Sequence, residues 1–361
     1  MKKKEKLVSV IIPTYNRAYI LPRTLKTVLE QTYKNWEVII VDDSSEDNTQ
    51  EIIEKYSKKD NRIKCIKNTH KKGPAGARNC GIEESKGEYI AFIDSDDEWM
   101  KSHLKDSIEA MEYFNADFCS SRRYFEKDGK LHKNRFEQEL DKINKEINRR
   151  KPKKKGDVLF FENNANEKFF FQGIFDLFFW TSVMVIKKDV FKESGFFNEK
   201  LVTFEDIELY HRIFIKFNFC FIKKYSAIWH EGTDNLYRFK GNIGLYEETK
   251  LKRGDPLLLK NEIVFKTTIK GLGLLKKRVP INNIFYNQEI ETLNRAIKEN
   301  YDYLIRIKII QKRYFTVLYL LLKERMFKPY IKESILLLMG KIGKIIKKIS
   351  QRLYYLLGGK N

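Results

Sequence analysis

Cysteine is scarce: Cys65, Cys80, Cys119 and Cys220 lie far apart, with no Cys-x-x-Cys pair. That spacing excludes a disulfide framework. No secretory leader follows the basic first six residues, so reduced thiols in a cytoplasmic protein are expected. Long apolar runs are missing too. The nearest, residues 169–180, is interrupted by Gln172, Gly173 and Asp176, short of the ~18 to 20 apolar residues that cross a bilayer, so no spanning helix is expected. There is no internal repeat, Walker lysine, dinucleotide glycine fingerprint or zinc pattern, and the four histidines other than His230 lack ligand spacing. Acidic charge thins out at one end: residues 261–361 hold 21 basic against 7 acidic side chains, a net of +14 in a chain of net +21. Such an excess favours anionic partners: phosphates, acidic lipids or nucleic acid.

What remains is ample for a core. With 361 residues, 42% apolar and 33% charged, the chain can fold as one large domain or two and is no disordered tail. In the first third, short β-branched runs alternate with helical periodicity, the pattern of crossover units on a largely parallel sheet. Strands are predicted at 7–12 (ended by Pro13), 36–41, 63–66 and 89–93; helices at 20–31, 49–56 and 77–84, the second capped by residues 42–45. Ligands of open sheets bind beyond the carboxyl ends of the strands. Pro13 to Arg17, Asp42 and Asp43, Gly73 to Arg78, and Asp94 to Asp97 each follow a different strand there, so they should converge on one crevice. From 122 to 168 the pattern weakens into a Lys- and Asn-rich stretch, read as an insertion. A helix at 205–216 and a strand at 219–222 follow, and from about 241 the reading is all-helical.

The clusters differ in what they can do. Asp94 and Asp96, two apart at a strand end, offer hard carboxylate oxygens suited to Mg2+ or Mn2+ and to a sugar hydroxyl, although an Asp-rich turn gives the same letters. The Gly73–Asn79 segment can start a helix close to a ligand, with Arg78 as a forked cation; a plain helix start with Arg78 in solvent is the simpler alternative. Glu205 and Asp206 open a helix, which macrodipole capping alone would explain, but a carboxylate there can also serve as a general base. His230, beyond the last strand, is a candidate metal or diphosphate contact or else structural.

Taken together, the runs 8–17 (VSVIIPTYNR), 41–45 (VDDSS), 76–79 (GARN) and 94–97 (DSDD), followed by 195–199 (GFFNE), Glu205-Asp206 and Arg212, resemble glycosyltransferase family 2 over roughly residues 7–235. The resemblance implies an α/β fold of the GT-A nucleotide-diphospho-sugar transferase type: a Rossmann-like, mostly parallel sheet with flanking helices. It implies a catalytic domain over 1–240, with a nucleotide-sugar half (1–120) and an acceptor half (121–240, insertion 122–168), and a basic helical region over 241–361. By the same analogy Pro13, Thr14, Tyr15 and Arg17 line the nucleotide pocket with Asp42. Asp43 contacts the base, Arg78 reaches the nucleotide, Asp94 and Ser95 touch ribose or donor sugar, Asp96 ligates Mn2+ or Mg2+ with His230 as a second candidate, Asp206 is the base and Glu205 orients acceptor or base. The family's usual glycine in its Asp-Asp-Gly-Ser turn is Ser44 here, a mild change because serine also caps helices. The Gln-x-x-Arg-Trp signature of processive members is absent.

These features lead to one expectation: an inverting, metal-assisted transferase that moves one sugar from a nucleotide-diphosphate donor, UDP-linked by preference, to a hydroxyl of a cell-surface glycan or lipid-linked saccharide. In residues 341–357 apolar positions recur every three or four with lysines between, as in a helix lying on an anionic membrane surface. A cytoplasmic enzyme, peripheral on the inner face of the membrane, follows; packing of that helix on the catalytic domain or a second copy is the alternative, and nucleic acid is not an expected partner. The competing functions are a non-catalytic GT-A-like binding or scaffolding protein and a sugar-nucleotide nucleotidyltransferase.

Overall fold

A computed structural model describes residues 5–133, 152–162, 179–201, 205–214 and 216–230, all within one compact unit. Expectations for the basic C-terminal region, and for most of the insertion, fall outside these residues.

Four strands, β1 (Val8–Thr14), β2 (Trp36–Asp42), β3 (Ile63–Lys67) and β4 (Tyr89–Phe92), pair in parallel in the order β3-β2-β1-β4. The aliphatic runs of β1, β2 and β4 are buried on both faces, as central parallel strands require. Helices α1 (Leu21–Leu29), α2 (Thr49–Ser57) and α3 (Pro74–Glu84) make the crossovers. After β5 (Glu98–Trp99) and α4 (His103–Phe114) come β6 (Phe118–Lys127), β7 (Lys130–Lys133), β8 (Lys153–Lys155) and β9 (Val158–Phe161). A 3-10 turn at Thr181–Val183 leads into β10 (Val185–Lys187), α5 (Val190–Ser194), α6 (Glu205–Phe214) and β11 (Phe219–His230). Strand β10 is antiparallel to both β4 and β6, and β6 then pairs in parallel with β11, so one sheet joins both halves of the sequence.

Alternation along β1 divides the core. Val8, Val10 and Ile12 pack with Leu21, Leu25 and Val28 of α1 and Leu104, Ile108 and Met111 of α4. Ile11 faces the other way, toward Ala77 and Cys80 of α3 and Leu209, Tyr210 and Ile213 of α6. Helices α3 and α6 therefore share a sheet face although more than 100 residues separate them, and this sharing brings Arg78 to Glu205.

Several boundaries differ from expectation. Pro13 does not end β1, which continues to Thr14. The Ile11 carbonyl accepts the Ile93 N–H on the β4 side and the Thr14 carbonyl the Asp43 N–H on the β2 side, so by alternation the N–H that Pro13 lacks would face β4, whose pairing has stopped at Phe92. Pro74 sits in the first turn of α3, where its missing donor costs nothing, and the helix starts three residues early. The 42–45 segment does not cap α2; Asp47 accepts the Thr49 N–H instead. Residues 122–127 prolong β6 rather than open an insertion, and β11 reaches His230 instead of stopping at 222.

Candidate functional site

The strand ends converge as their order requires, and the buried node of the crevice is an arginine. Arg78 on α3 donates from Nη1 to Glu205 Oε1 at 2.9 Å and from Nη2 to Asp94 Oδ1 at 2.8 Å. Its side chain is 6% exposed. Burial alone would loosen its proton, but the charges of Asp94 and Glu205 outweigh burial and hold it more tightly than usual. The fork thus ties the end of β4 to the start of α6.

That tie places Asp206 on the same side of the sheet as the Asp94–Asp97 turn. Its Oδ1 accepts the Ile207 N–H at 2.7 Å, and Thr181 Oγ1 lies 3.4 Å from its Oδ2. Burial raises the Asp206 carboxyl above its ordinary value, the Arg78 cation opposes the rise and the Asp94 charge adds to it. Burial, then the Asp206 charge, push Glu205 up to about 7 against the pull of Arg78. Two carboxyls raised by burial beside one cation are suited to holding and releasing protons.

In the donor-side turn, Asp96 lies 3.9 Å from Arg17 Nη2, and Arg23 Nη2 donates to its backbone carbonyl at 2.6 Å. Burial and then the Asp94 charge raise Asp96, with Arg17 and Arg23 opposing. Ser95 is buried, its carbonyl accepting from Thr24 Oγ1 at 3.0 Å. Asp97 is deeper still, hydrogen-bonded by Ser182 Oγ, whose oxygen also accepts the Asp94 N–H at 3.1 Å.

On the other flank Asp43, buried, accepts from Asn68 Nδ2 at 2.6 Å and from the Gly73 N–H at 2.8 Å. Asp42 accepts the Ser45 N–H and hydroxyl at 3.1 and 2.5 Å. Thr14 is buried beneath them, and Tyr15 is exposed with Lys72 Nζ 4.2 Å over its ring. Between the two aspartates' partners, Ser44 has φ of +69°. The usual glycine at this position is therefore a conformational requirement, not a matter of capping, and serine holds the turn in a left-handed region that costs roughly 1 to 2 kcal/mol.

His230 lies at the end of β11, beside β5 and β6. Its Nε2 is 2.8 Å from Glu98 Oε1 and its Nδ1 3.3 Å from Glu126 Oε2, so both ring nitrogens face carboxylates. Among the described residues no three His, Cys, Asp or Glu side chains form a metal cage. The mutually repelling oxygens of Asp94 and Asp96 do suit a hard divalent cation that completes its shell with phosphate oxygens and water. Residues given no role from the sequence include Thr181 and Ser182, which link the base candidate to the donor turn; Arg23, whose Nε is 3.3 Å from Glu98; and, within a named motif, Asn79. The last donates to the Phe197 carbonyl at 3.0 Å and accepts its N–H at 2.9 Å, docking the 195–199 segment on α3. No local pattern marks Thr181 or Ser182; the Gly76–Asn79 motif already contained Asn79.

Residues 9–177 match the family model described as "Glycosyl transferase family 2". Among curated proteins, the chain is 51% identical over 122 residues to the UDP-Glc:alpha-D-GlcNAc-diphosphoundecaprenol beta-1,3-glucosyltransferase WfaP of Escherichia coli, covering 34% of this chain and 48% of that protein. It is 28% identical to glycosyltransferase GlyG of Streptococcus pneumoniae across 84% of this chain and 95% of that protein. The chain spans about half the length of WfaP and less of several other curated relatives it matches. Among solved structures, S. aureus TarS residues 1–349 with UDP-GlcNAc superpose with a TM-score of 0.51 at 18% identity, over 84% of this chain and 83% of that one.

Proposed function

Residues 9–177 belong to glycosyl transferase family 2, carried on a GT-A-type sheet, and from that premise we propose an inverting transfer of one sugar from a UDP-linked donor to a hydroxyl of a lipid-linked saccharide. The observation that carries this reading is the Arg78 bridge, which puts a buried carboxylate pair and an acidic strand-end turn on one crevice.

In this mechanism Asp206 takes the proton of the acceptor hydroxyl as the oxygen attacks the anomeric carbon, while Thr181 and the Ile207 N–H fix the orientation of its carboxylate. Glu205, locked onto Arg78, holds the start of α6 in register with Asp94 and does not itself need to leave its partner. Tyr15, Arg17 and Asp43 take the nucleotide, with Pro13, Thr14 and Asp42 shaping the floor beneath, and Asp94 and Ser95 border ribose and sugar. Asp96, with Asp94 beside it, would hold a divalent cation, which would stabilise the charge that grows on the departing diphosphate. Attack opposite the leaving group in one displacement inverts the anomeric centre, and no carboxylate forms a sugar ester. The lipid-linked acceptor class is taken from the printed activity of WfaP, and the basic tail, net +14 over residues 261–361, would hold the enzyme at the anionic membrane surface where such acceptors reside.

The test is a screen of nucleotide sugars against GlcNAc-diphosphoundecaprenol, with and without Mn2+ and Mg2+. Release of UDP coupled to a glycosylated lipid is expected. Pyrophosphate release from a nucleoside triphosphate would instead identify a nucleotidyltransferase, and no turnover of any donor would leave a binding module.

A further inference from the structure

Outside the crevice, one histidine is held in a way the reaction above does not use. His70 Nδ1 is 2.9 Å from Glu199 Oε1 and its Nε2 is 3.1 Å from Glu83 Oε2. Carboxylates only accept, so both contacts are hydrogen bonds only when both ring nitrogens carry protons. Glu199 is itself fixed: Asn79 Nδ2 donates to it at 2.7 Å and the Lys71 N–H at 3.3 Å, while Lys71 Nζ donates to its carbonyl at 2.9 Å. From this clasp a short strap runs to the proposed nucleotide pocket. The His70 N–H donates to Asn68 Oδ1 at 2.9 Å, Asn68 and the Gly73 N–H hold both oxygens of Asp43, and Lys72 lies over Tyr15. A Cβ on Gly76 would collide with the Lys71 carbonyl, so the strap packs directly on the first turns of α3.

We infer that His70 and Glu199 are positioning residues of the nucleotide pocket: cationic His70 clamps the 68–73 strap between α3 and the 195–199 segment, and loss of its proton releases the strap from Asp43 and Tyr15. The consequence for ligand rests on the nucleotide-sugar reading above; the clasp itself does not. The charged groups facing His70 are Glu83 from α3, Glu199 from the 195–199 segment and Lys71 from its own strap. Burial would disfavour the charged ring, but Glu199 and then Glu83 outweigh burial and raise its pKa. With its carboxylates ionised, the clasp is accordingly closed below the ordinary imidazole value and opens as pH climbs through the raised one.

The experiment uses the full chain and two readouts between pH 6 and 9: UDP affinity by calorimetry, and hydrogen exchange of amides 69–73, each compared with His70→Arg at the same pH to cancel intrinsic effects. UDP affinity of the unaltered protein should fall about fivefold more than that of His70→Arg across the range, with faster strap exchange at the alkaline end. The loss of one charge-assisted contact is of that size. His70→Gln and Glu199→Gln should show weak binding and fast exchange at every pH. Parallel profiles for the unaltered protein, His70→Arg and His70→Gln would overturn the clasp. Absence of UDP binding at any pH would sink the functional reading, and the exchange measurement would still decide the clasp.

Discussion

The interior of the crevice and its rim both set one cation between two carboxylates, with opposite consequences. At the interior node the cation is Arg78, its side chain 6% exposed, between Asp94 and Glu205. At the rim it is His70, 23% exposed, between Glu83 and Glu199. A guanidinium keeps its charge at any physiological pH, and buried between strand and helix it ties the two together throughout. An imidazolium loses its charge near neutrality and, near solvent, can let go cheaply. Burial and the choice of cation together decide whether such a triplet is a rivet or a latch.

The comparison breaks first at the rivet. Arg78→Met leaves buried Glu205 and partly exposed Asp94 facing each other without a cation, and a loss of about 3 kcal/mol in urea unfolding is expected. Arg78→Lys should recover only part of it, because one ammonium does not fork. A loss under about 1 kcal/mol would show that the node is not structural.

Proton linkage sharpens the contrast. Glu205 is raised in the fold from an ordinary 4.5 to about 7, so the folded chain binds more protons than the unfolded one between those values. Its contribution to stability is present below pH 4.5 and lost as pH rises through about 7. The His70 contribution, also from a raised pKa, is complete below the ordinary 6.5 and lost only at higher pH. Melting temperatures from pH 4.5 to 9 should therefore show Glu205→Gln converging on a flat profile in the lower window and His70→Gln in the upper. The acid limb of the transfer rate, which belongs to the Glu205–Asp206 pair jointly, should lie above the ordinary carboxylate range and move down in Glu205→Gln. An unmoved limb would detach Glu205 from the reaction.

At the rim, Glu199→Gln should cost under about 1 kcal/mol of global stability, since the clasp is half-exposed. The smallest expected effect is a gain. Ser44→Gly relieves the left-handed turn beside Asp43 and should stabilise the chain by about 1 kcal/mol at most, because glycine also loses more backbone entropy on folding.

Much of the donor half was legible because its signals are local. Aliphatic runs gave β1, β2 and β4, and each was followed by a polar turn at its carboxyl end. The misreadings there were one-residue rules taken too literally: Pro13 is harmless where its strand has lost one neighbour, and Pro74 begins a helix as readily as it ends a strand. The other half depends on partners far away in sequence. β6 reads as Ser-Ser-Arg-Arg-Tyr-Phe-Glu-Lys past its first two residues and is a strand because residues 219–230 lie alongside it. His230 was visible as a histidine, but whether it meets Asp96 or Glu98 depends on the register and bulges of β11 against β5 and β6. Arg78 was visible too; that its fork turns inward follows only from α3 and α6 sharing a face.

The central claim is that the carboxylate of residue 206 acts on the donor held at the 94–96 turn. The most direct measurement is donor affinity beside transfer rate in Asp206→Asn, whose side chain keeps the shape and the Ile207 contact but cannot take a proton. UDP-sugar affinity within twofold of the unaltered protein, with transfer reduced at least 100-fold, is the expected result. Retained transfer, or a loss of affinity as large as the loss of rate, would contradict it.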